Sequence, residues 1–179
     1  TVIYANKLSN NGNGINIRLS SQSNFIVNNM VLENGGDITI QGSSNRNIID
    51  GNQMDNSGGI QVDFTSKFSN ISNNIIENSK GNGIVTNSVR GSELINNTIL
   101  NAAQNGIKVG AKIKNFVIEG NHVRASNKAG IIIESTNPGI VSENEIVDSG
   151  EIGLKANYES PILINDNKIV IKPDISFNS

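Results

Sequence analysis

Two acidic residues, Asp55 and Glu77, stand at equivalent positions, because each follows an asparagine, Asn52 or Asn74, by three positions. If this placement puts them on adjacent parallel strands, which lie about 4.8 Å apart, their carboxyl groups can approach to about 5 Å. That is the separation at which a retaining glycosidase uses one carboxyl group as acid and the other as nucleophile. The pair is therefore a candidate catalytic pair for cleaving a glycosidic bond. The alternative is that two exposed acids are adjacent by chance and point into water.

A second row combines His122, Glu145 and Lys168, each of which comes directly after an asparagine of the same series. A histidine beside a glutamate can serve as a general base, but the same row also fits a surface ladder of ion pairs. Because the chain has one histidine and no cysteine, it offers few ligands for a transition metal. We expect neither a metal nor another cofactor.

The elements that must position these residues recur at a nearly constant interval of about 23 residues, a period that is typical of stacked repeats. The repeat is marked by Asn6, Asn29, Asn52, Asn74, Asn97, Asn121, Asn144 and Asn167. An apolar residue stands three positions before and two positions after each of these asparagines. A further pair at alternate positions, such as Ile60 and Val62, follows in seven of the repeats, usually after a glycine, and both of its members are apolar except where Thr86 follows Ile84. Alternation of this kind predicts short strands, and one repeat can bury its apolar residues only against stacked neighbours.

The repeat predicts an all-β fold, namely a single-stranded right-handed parallel β-helix of about eight coils with three parallel sheets. We expect residues 1–179 to form one β-helix domain. The recurring asparagines are predicted to form a hydrogen-bonded ladder at a sharp corner, where asparagine tolerates the left-handed backbone conformation. No end caps are recognisable, so we expect the chain to be a fragment or module of a larger protein.

The outer face of the glycine-led strands is predicted to carry polar side chains suited to the hydroxyl groups of a polysaccharide. The candidate substrate-binding residues are Arg18, Gln41, Gln61, Asp63, Asn87, Lys108, Glu134 and Lys155. Asp63 and Glu134 are three coils apart, about 14 Å at the strand spacing, which is too far for a catalytic pair. The alternative is a solvated sheet face without a ligand.

An apolar row stands one position before the inward residue of the strand that precedes each asparagine. Its apolar members include Phe25, Ile48, Val117, Ile140 and Leu163. A contiguous apolar stripe on a surface usually marks a partner, so we expect a homotrimer of parallel rods or a neighbouring domain to cover it. The alternative is that the strand bends and turns these side chains inward.

The overall composition argues against two classes of partner. The net charge is -2, with 14 Lys and Arg against 16 Asp and Glu, which gives no general electrostatic reason to bind nucleic acid and predicts no basic patch. Apolar runs are only a few residues long, far short of the roughly 20 needed to span a bilayer. We therefore expect no nucleic acid partner and no membrane insertion.

The repeat resembles those of pectate-lyase-like parallel β-helix proteins, a group that includes alginate epimerases and phage tailspikes. The matching units are Asn73-Asn74-Ile75-Ile76-Glu77-Asn78 through Gly83-Ile84, and Asn96-Asn97-Thr98-Ile99 through Gly106-Ile107. The resemblance covers nearly the whole chain and implies a carbohydrate-related task on a long polymer, in an extracellular location or on a virion surface. The short catalytic signatures of the pectate lyases, polygalacturonases and alginate epimerases are not found in the sequence.

Three functional classes follow from these observations. The leading hypothesis is a module that binds an extracellular or cell-surface polysaccharide, with or without cleavage, as in tailspike-like depolymerases. The second is a non-catalytic structural or adhesive rod, and the third is a free-standing lyase, hydrolase or epimerase. Whether the chain is an enzyme at all depends on whether Asp55 and Glu77 act on a substrate.

Overall fold

The computed structural model describes residues 1–18, 20–63, 66–87, 90–157 and 161–170. Within these ranges the chain consists of short strands of two to five residues joined by turns. No helix in the described part of the chain is long and apolar enough to cross a membrane.

Three parallel sheets run the length of the molecule, and the chain visits them in the same order in every coil. Sheet A contains the strands that precede the recurring asparagines: Val2–Tyr4, Phe25–Val27, Ile48–Asp50, Asn70–Ser72, Glu93–Ile95, Phe116–Glu119, Gly139–Ser142 and Ile162–Asn165. Sheet B contains the strands that follow them: Lys7–Ser9, Met30–Leu32, Gln53–Asp55, Ile75–Glu77, Thr98–Leu100, His122–Arg124, Glu145–Val147 and Lys168–Val170. Sheet C contains the glycine-led strands: Asn16–Ile17, Ile38–Ile40, Ile60–Val62, Ile84–Thr86, Ile107–Val109, Ala129–Ile133 and Ile152–Ala156.

Each strand pairs in parallel with the equivalent strand one coil before and one coil after. Ile49, for example, is aligned with Ile26 in the preceding coil and with Ile71 in the following one. Sheets A and B contain eight described strands and sheet C seven, so the last coil contributes two described strands. The prediction of about eight coils with three parallel sheets is therefore confirmed.

The core is a column of aliphatic side chains between the three sheets. Ile26, Ile49, Ile71 and Leu94 are completely buried, as the repeat predicts. In the last described coil Ile164 and Ile169 are each 44% exposed, and among the described residues they are packed from one side only. Stacking of the coils is thus what removes these residues from water, since burial depends on a neighbour on both sides.

The predicted asparagine ladder is present at the corner between sheets A and B. The Nδ2 of Asn74 donates to the carbonyl oxygen of Ile49 at 2.9 Å and to Oδ1 of Asn97 at 3.0 Å. Its Oδ1 accepts from both the backbone N and the Nδ2 of Asn52, at 3.0 and 2.9 Å. Each ladder side chain from Asn29 to Asn144 therefore satisfies backbone groups that the corner removes from the sheets, and it links three coils.

The backbone conformation of this corner differs from the prediction by one residue. The left-handed conformation belongs to the residue before each ladder asparagine, as at Asn73 with φ of 54° and Gly51 with φ of 62°. The ladder asparagines themselves are not among the residues with positive φ. The recurring asparagine is therefore selected for its amide hydrogen bonds, while the preceding residue makes the bend.

Candidate functional site

The outer face of sheet C carries two rows of side chains. One row is Asn16, Thr39, Gln61, Val85, Lys108, Ile132 and Lys155, aligned strand by strand. The other follows the strand ends as Arg18, Gln41, Asp63, Asn87, Gly110, Glu134 and Asn157. Hydrogen bonds such as that from Asp63 N to Ile40 O at 2.9 Å continue the pairing through this second row. All eight predicted binding residues thus lie on one sheet face.

Side-chain contacts link the two rows, both along a single strand and between neighbouring coils. Lys108 Nζ lies 2.7 Å from Glu134 Oε1, and both side chains are partly exposed. Gln61 Nε2 donates to Asp63 Oδ2 at 3.4 Å, and Arg18 Nε donates to Asn16 Oδ1 at 3.1 Å. The structure brings Lys108 and Glu134 together, whereas Arg18 and Lys155 lie six coils apart, about 29 Å at the strand spacing.

A shallow depression of about 380 Å³ lies near the C-terminal end of this face. It is lined by Ile132, Ile133, Glu134, Lys155, Ala156 and Asn157. An apolar floor with an ammonium, a carboxylate and an amide at the rim is the combination found in sites for small or polymeric ligands. Glu134 connects this depression to the Lys108 ion pair.

Asp55 and Glu77 occupy matching positions on adjacent strands of sheet B. Oδ1 of Asp55 accepts a hydrogen bond from Nδ2 of Asn78 at 2.9 Å, and Oδ1 of Asn78 accepts from Nδ2 of Asn101 at 3.1 Å. Both acids are partly exposed. The predicted adjacency is therefore found, with Asp55 held by a short chain of amides, and the catalytic role of the pair stays a prediction.

A connected row of side chains lies on the last three strands of sheet B and consists of His122, Glu145 and Lys168. His122 Nδ1 lies 3.0 Å from Glu145 Oε2, and Lys168 Nζ donates to Glu145 Oε1 at 2.5 Å. The hydrogen bond and positive charge of Lys168 lower the pKa of Glu145, and His122 adds a smaller contribution. This geometry is that of an exposed ion-pair ladder, which contributes little to stability.

The apolar row of sheet A faces outward. Phe25 and Ile140 are each 39% exposed and Leu163 is 58% exposed, whereas Ile48 and Val117 are partly buried. The row is divided in the middle by Asn70 and Glu93, whose side chains lie 3.3 Å apart. Two shorter apolar patches replace the continuous stripe, and a partner that covers them stays a prediction.

Sequence reasoning missed a row of three cations at the turn that leads from sheet C into sheet A. Lys67, Arg90 and Lys114 are joined by isolated parallel bridges from coil to coil. They are spaced at the interval of the repeat itself, so the spacing contained the signal. The prediction of no basic patch is wrong at this turn, because the net charge on which it rests does not describe how the charges are distributed. Among the described residues, no group of three or more His, Asp or Glu side chains is arranged to hold a metal ion.

Comparison with known proteins identifies the fold as a right-handed β-helix. The family profile described as a right-handed β-helix region matches residues 1–99 and 58–170. A structure of a single mutant of the periplasmic alginate epimerase AlgG superimposes with a TM-score of 0.87 and 18% sequence identity, over 94% of this chain and 45% of the epimerase. A second AlgG structure gives a TM-score of 0.84 and 17% identity, over 94% and 46%. The chain thus spans less than half of these structures, and at this identity they establish the fold only.

The comparison with curated proteins gives no match. The family profile, by contrast, extends over nearly all of the described residues. Its extent agrees with the three parallel sheets, the buried aliphatic column and the ladder of asparagine amides. On these grounds the chain belongs to the right-handed parallel β-helix family.

Proposed function

We propose that this chain binds an extracellular or cell-surface polysaccharide along the outer face of sheet C. The observation that carries the proposal is the alignment of amide, carboxylate and ammonium groups in two rows that follow the axis of the rod. A linear polymer on this face would meet donors and acceptors on successive coils, and these groups suit sugar hydroxyls. The alginate epimerase of the same fold is, by its name, a protein that acts on a polysaccharide. Because AlgG is described as periplasmic, we also propose that this chain acts outside the cytoplasm.

The depression around Lys155 is the natural anchor point on this face. Ile132 supplies an apolar floor, while Lys155 and Glu134 place charged groups at its rim. The Lys108 ion pair holds Glu134 in a defined position. The hydroxyl groups of a ligand could therefore donate to the carboxylate of Glu134 and accept from the ammonium group of Lys155 within one site.

A glycan-binding screen with the purified chain tests the proposal directly. For the best ligand, Lys155→Ala is expected to weaken binding about tenfold, which corresponds to about 1.4 kcal/mol. The matched control is Lys128→Ala, which removes an exposed lysine on another part of the surface and should leave binding unchanged. Equal affinity for the parent chain and both variants would contradict the assignment to sheet C, and a failure to bind any glycan would contradict the function.

Cleavage by Asp55 and Glu77 is a second candidate function, and it is supported by their alignment on adjacent strands. Asp55→Asn and Glu77→Gln should each abolish the release of reducing ends from a bound polysaccharide, because each removes one of the two carboxyl groups that the reaction needs. Glu119→Gln, on sheet A, is the matched control. Release of reducing ends that is unaffected by either substitution would exclude the pair.

A non-catalytic structural or adhesive rod is the alternative that these two experiments separate. Binding without turnover favours a recognition module, whereas turnover that depends on Asp55 and Glu77 favours an enzyme. Neither binding nor turnover favours the structural rod. The apolar patches of sheet A would then carry the function, through contact with a second rod or a neighbouring domain.

A further inference from the structure

The turn from sheet C into sheet A has a row of cations, which we call the basic column: Lys67, Arg90 and Lys114. These residues are aligned on three consecutive coils by parallel bridges, so their backbones are about 4.8 Å apart from one coil to the next. All three side chains are exposed. The rod therefore presents three positive charges in a line along its axis.

The charges of the basic column are not neutralised within the described part of the chain, where none of the three has an ion-pair partner. Lys108 and Lys168 differ in this respect, because each contacts a glutamate. Three like charges in a line repel one another, so the charges of the column do not favour folding. In a chain with a net charge of -2, such a local excess of positive charge attracts anions.

The residues that directly follow the bridged positions of this turn include a further cation and an aromatic ring. Arg46 and Phe68 follow the bridged residues of two consecutive coils and share the left-handed conformation, with φ of 55° in both. Phe68 is 56% exposed. Its ring lies beside Gly91, where an added Cβ would be 2.8 Å from Cδ1 of the ring, so the absence of a side chain at Gly91 leaves room for the ring.

We propose that the basic column, with Arg46 and Phe68, binds an acidic polysaccharide whose chain lies along the rod axis. The inference rests on the proposed polysaccharide function and specifies its charge class: the ligand carries carboxylate or sulfate groups. The guanidinium group of Arg90 pairs with planar carboxylates in a bidentate manner, while the flat face of Phe68 supports an apolar sugar face. A polymer with repeated charges matches a row of repeated cations.

A single-stranded nucleic acid is a less suitable ligand for this column. Proteins that bind such strands stack successive bases on a series of aromatic side chains, whereas among the described residues that flank the three cations Phe68 is the exposed aromatic residue. The neighbouring rows of sheet C offer amides and a carboxylate for hydroxyl groups, which a polysaccharide carries on every unit. The arrangement therefore favours the acidic polysaccharide.

The test compares polygalacturonate, dextran sulfate, neutral dextran and oligo(dT) as ligands for the full chain. The triple variant Lys67→Gln/Arg90→Gln/Lys114→Gln should bind the acidic polymers at least about tenfold more weakly than the parent. Its binding should also depend less on salt, because fewer counterions are released. The control is Lys7→Gln/Arg124→Gln/Lys128→Gln, which removes the same charge from exposed residues elsewhere and should cost less than about twofold.

The outcomes separate this inference from the proposed function. Acidic polymers that bind more tightly than neutral dextran, and whose binding is lost in the column variant but kept in the control, support the inference. Three outcomes overturn the inference: equal losses of affinity in both triple variants, tighter binding of neutral dextran than of acidic polymers, or binding of oligo(dT) without binding of acidic polymers. The proposed function survives each of these outcomes if a glycan still binds. If no glycan binds, the proposed function fails and the inference fails with it.

Discussion

Two corners of the rod differ in how strictly the sequence repeats. At the corner between sheets A and B, every coil has an asparagine with an apolar residue three positions before it and two after it. At the turn from sheet C into sheet A, the length varies: Asn45 follows Ile40 by five positions, whereas Arg90 follows Thr86 by four. The first corner therefore sets the register of the coils, and the other is free to vary in length and in chemistry.

The buried residues of the variable corner show the same contrast. Its inner column is Asn24, Asn47, Ser69, Ser92, Phe116 and Gly139. Nδ2 of Asn24 donates to Oδ1 of Asn47 at 2.8 Å, and Nδ2 of Asn47 lies 3.3 Å from Ser69 Oγ. A short amide ladder therefore begins here and is replaced further along by the buried ring of Phe116. This corner changes from polar to apolar packing while the strands remain aligned.

The largest expected effect is at the strict corner. Asn74→Ala removes an amide that bonds groups of Ile49, Asn52 and Asn97 in three coils, and it leaves several of them buried without partners. We expect the free energy of unfolding to fall by about 3 kcal/mol, measured by urea denaturation. Asn127→Ala, at an exposed turn, is the control and should change it by less than about 0.5 kcal/mol. A small effect at Asn74 would remove the distinction between the corners.

The corresponding substitution at the variable corner should cost less. Asn47 is completely buried, as Asn74 is, but its Oδ1 accepts only one hydrogen bond among the described residues, from Asn24. The Oδ1 of Asn24 itself is buried without a partner among the described residues. We expect Asn47→Ala to lower the free energy of unfolding by about 1.5 kcal/mol, measured in the same urea titration. A loss equal to that of Asn74→Ala would show that both corners are needed equally to hold the register.

A still smaller effect on stability is expected from neutralising Lys67, Arg90 and Lys114. Because the three cations repel one another and lack ion-pair partners among the described residues, the triple glutamine variant should be at least as stable as the parent. A gain of up to about 1 kcal/mol is expected at low salt. Thermal unfolding at two salt concentrations measures this. A marked destabilisation would mean that the column is structural rather than a site for anions.

The smallest expected effect on stability is at Asp37, at the corner between sheets B and C. Its carboxylate lies against Gly58, because a Cβ added to that glycine would be 2.5 Å from Asp37 Cγ. Burial raises the pKa of Asp37 above its ordinary value of 3.8, so the charged form is disfavoured in the folded state. Stability therefore falls as the pH rises from that value through the folded pKa. Asp37→Asn should be more stable than the parent at neutral pH and equal to it in acid, as thermal unfolding at the two pH values would show. The opposite order at neutral pH would mean that the carboxylate is stabilised by contacts.

Much of the fold could be predicted because its determinants are periodic. The asparagines and the apolar residues around them specify coil number, register and core, and the same counting aligned Asp55 with Glu77. The diagonal pair of Lys108 and Glu134 could not be predicted, because the two residues belong to different rows and meet only through their side-chain conformations. Phe116 was missed because the inner column of its corner is otherwise polar or glycine, and a single large residue in such a column has no periodic signal.

The parallel, in-register stacking of coils also bears on how such a surface could change over generations. Each coil presents the same strand edges to the next, so duplication of one repeat would insert one more coil and lengthen the rod by about 4.8 Å. Duplication of the segment that contains Arg90 would at the same time add a fourth cation in line with the others. Reach along a polymer and the number of ionic contacts with it would then increase together, in a single genetic event.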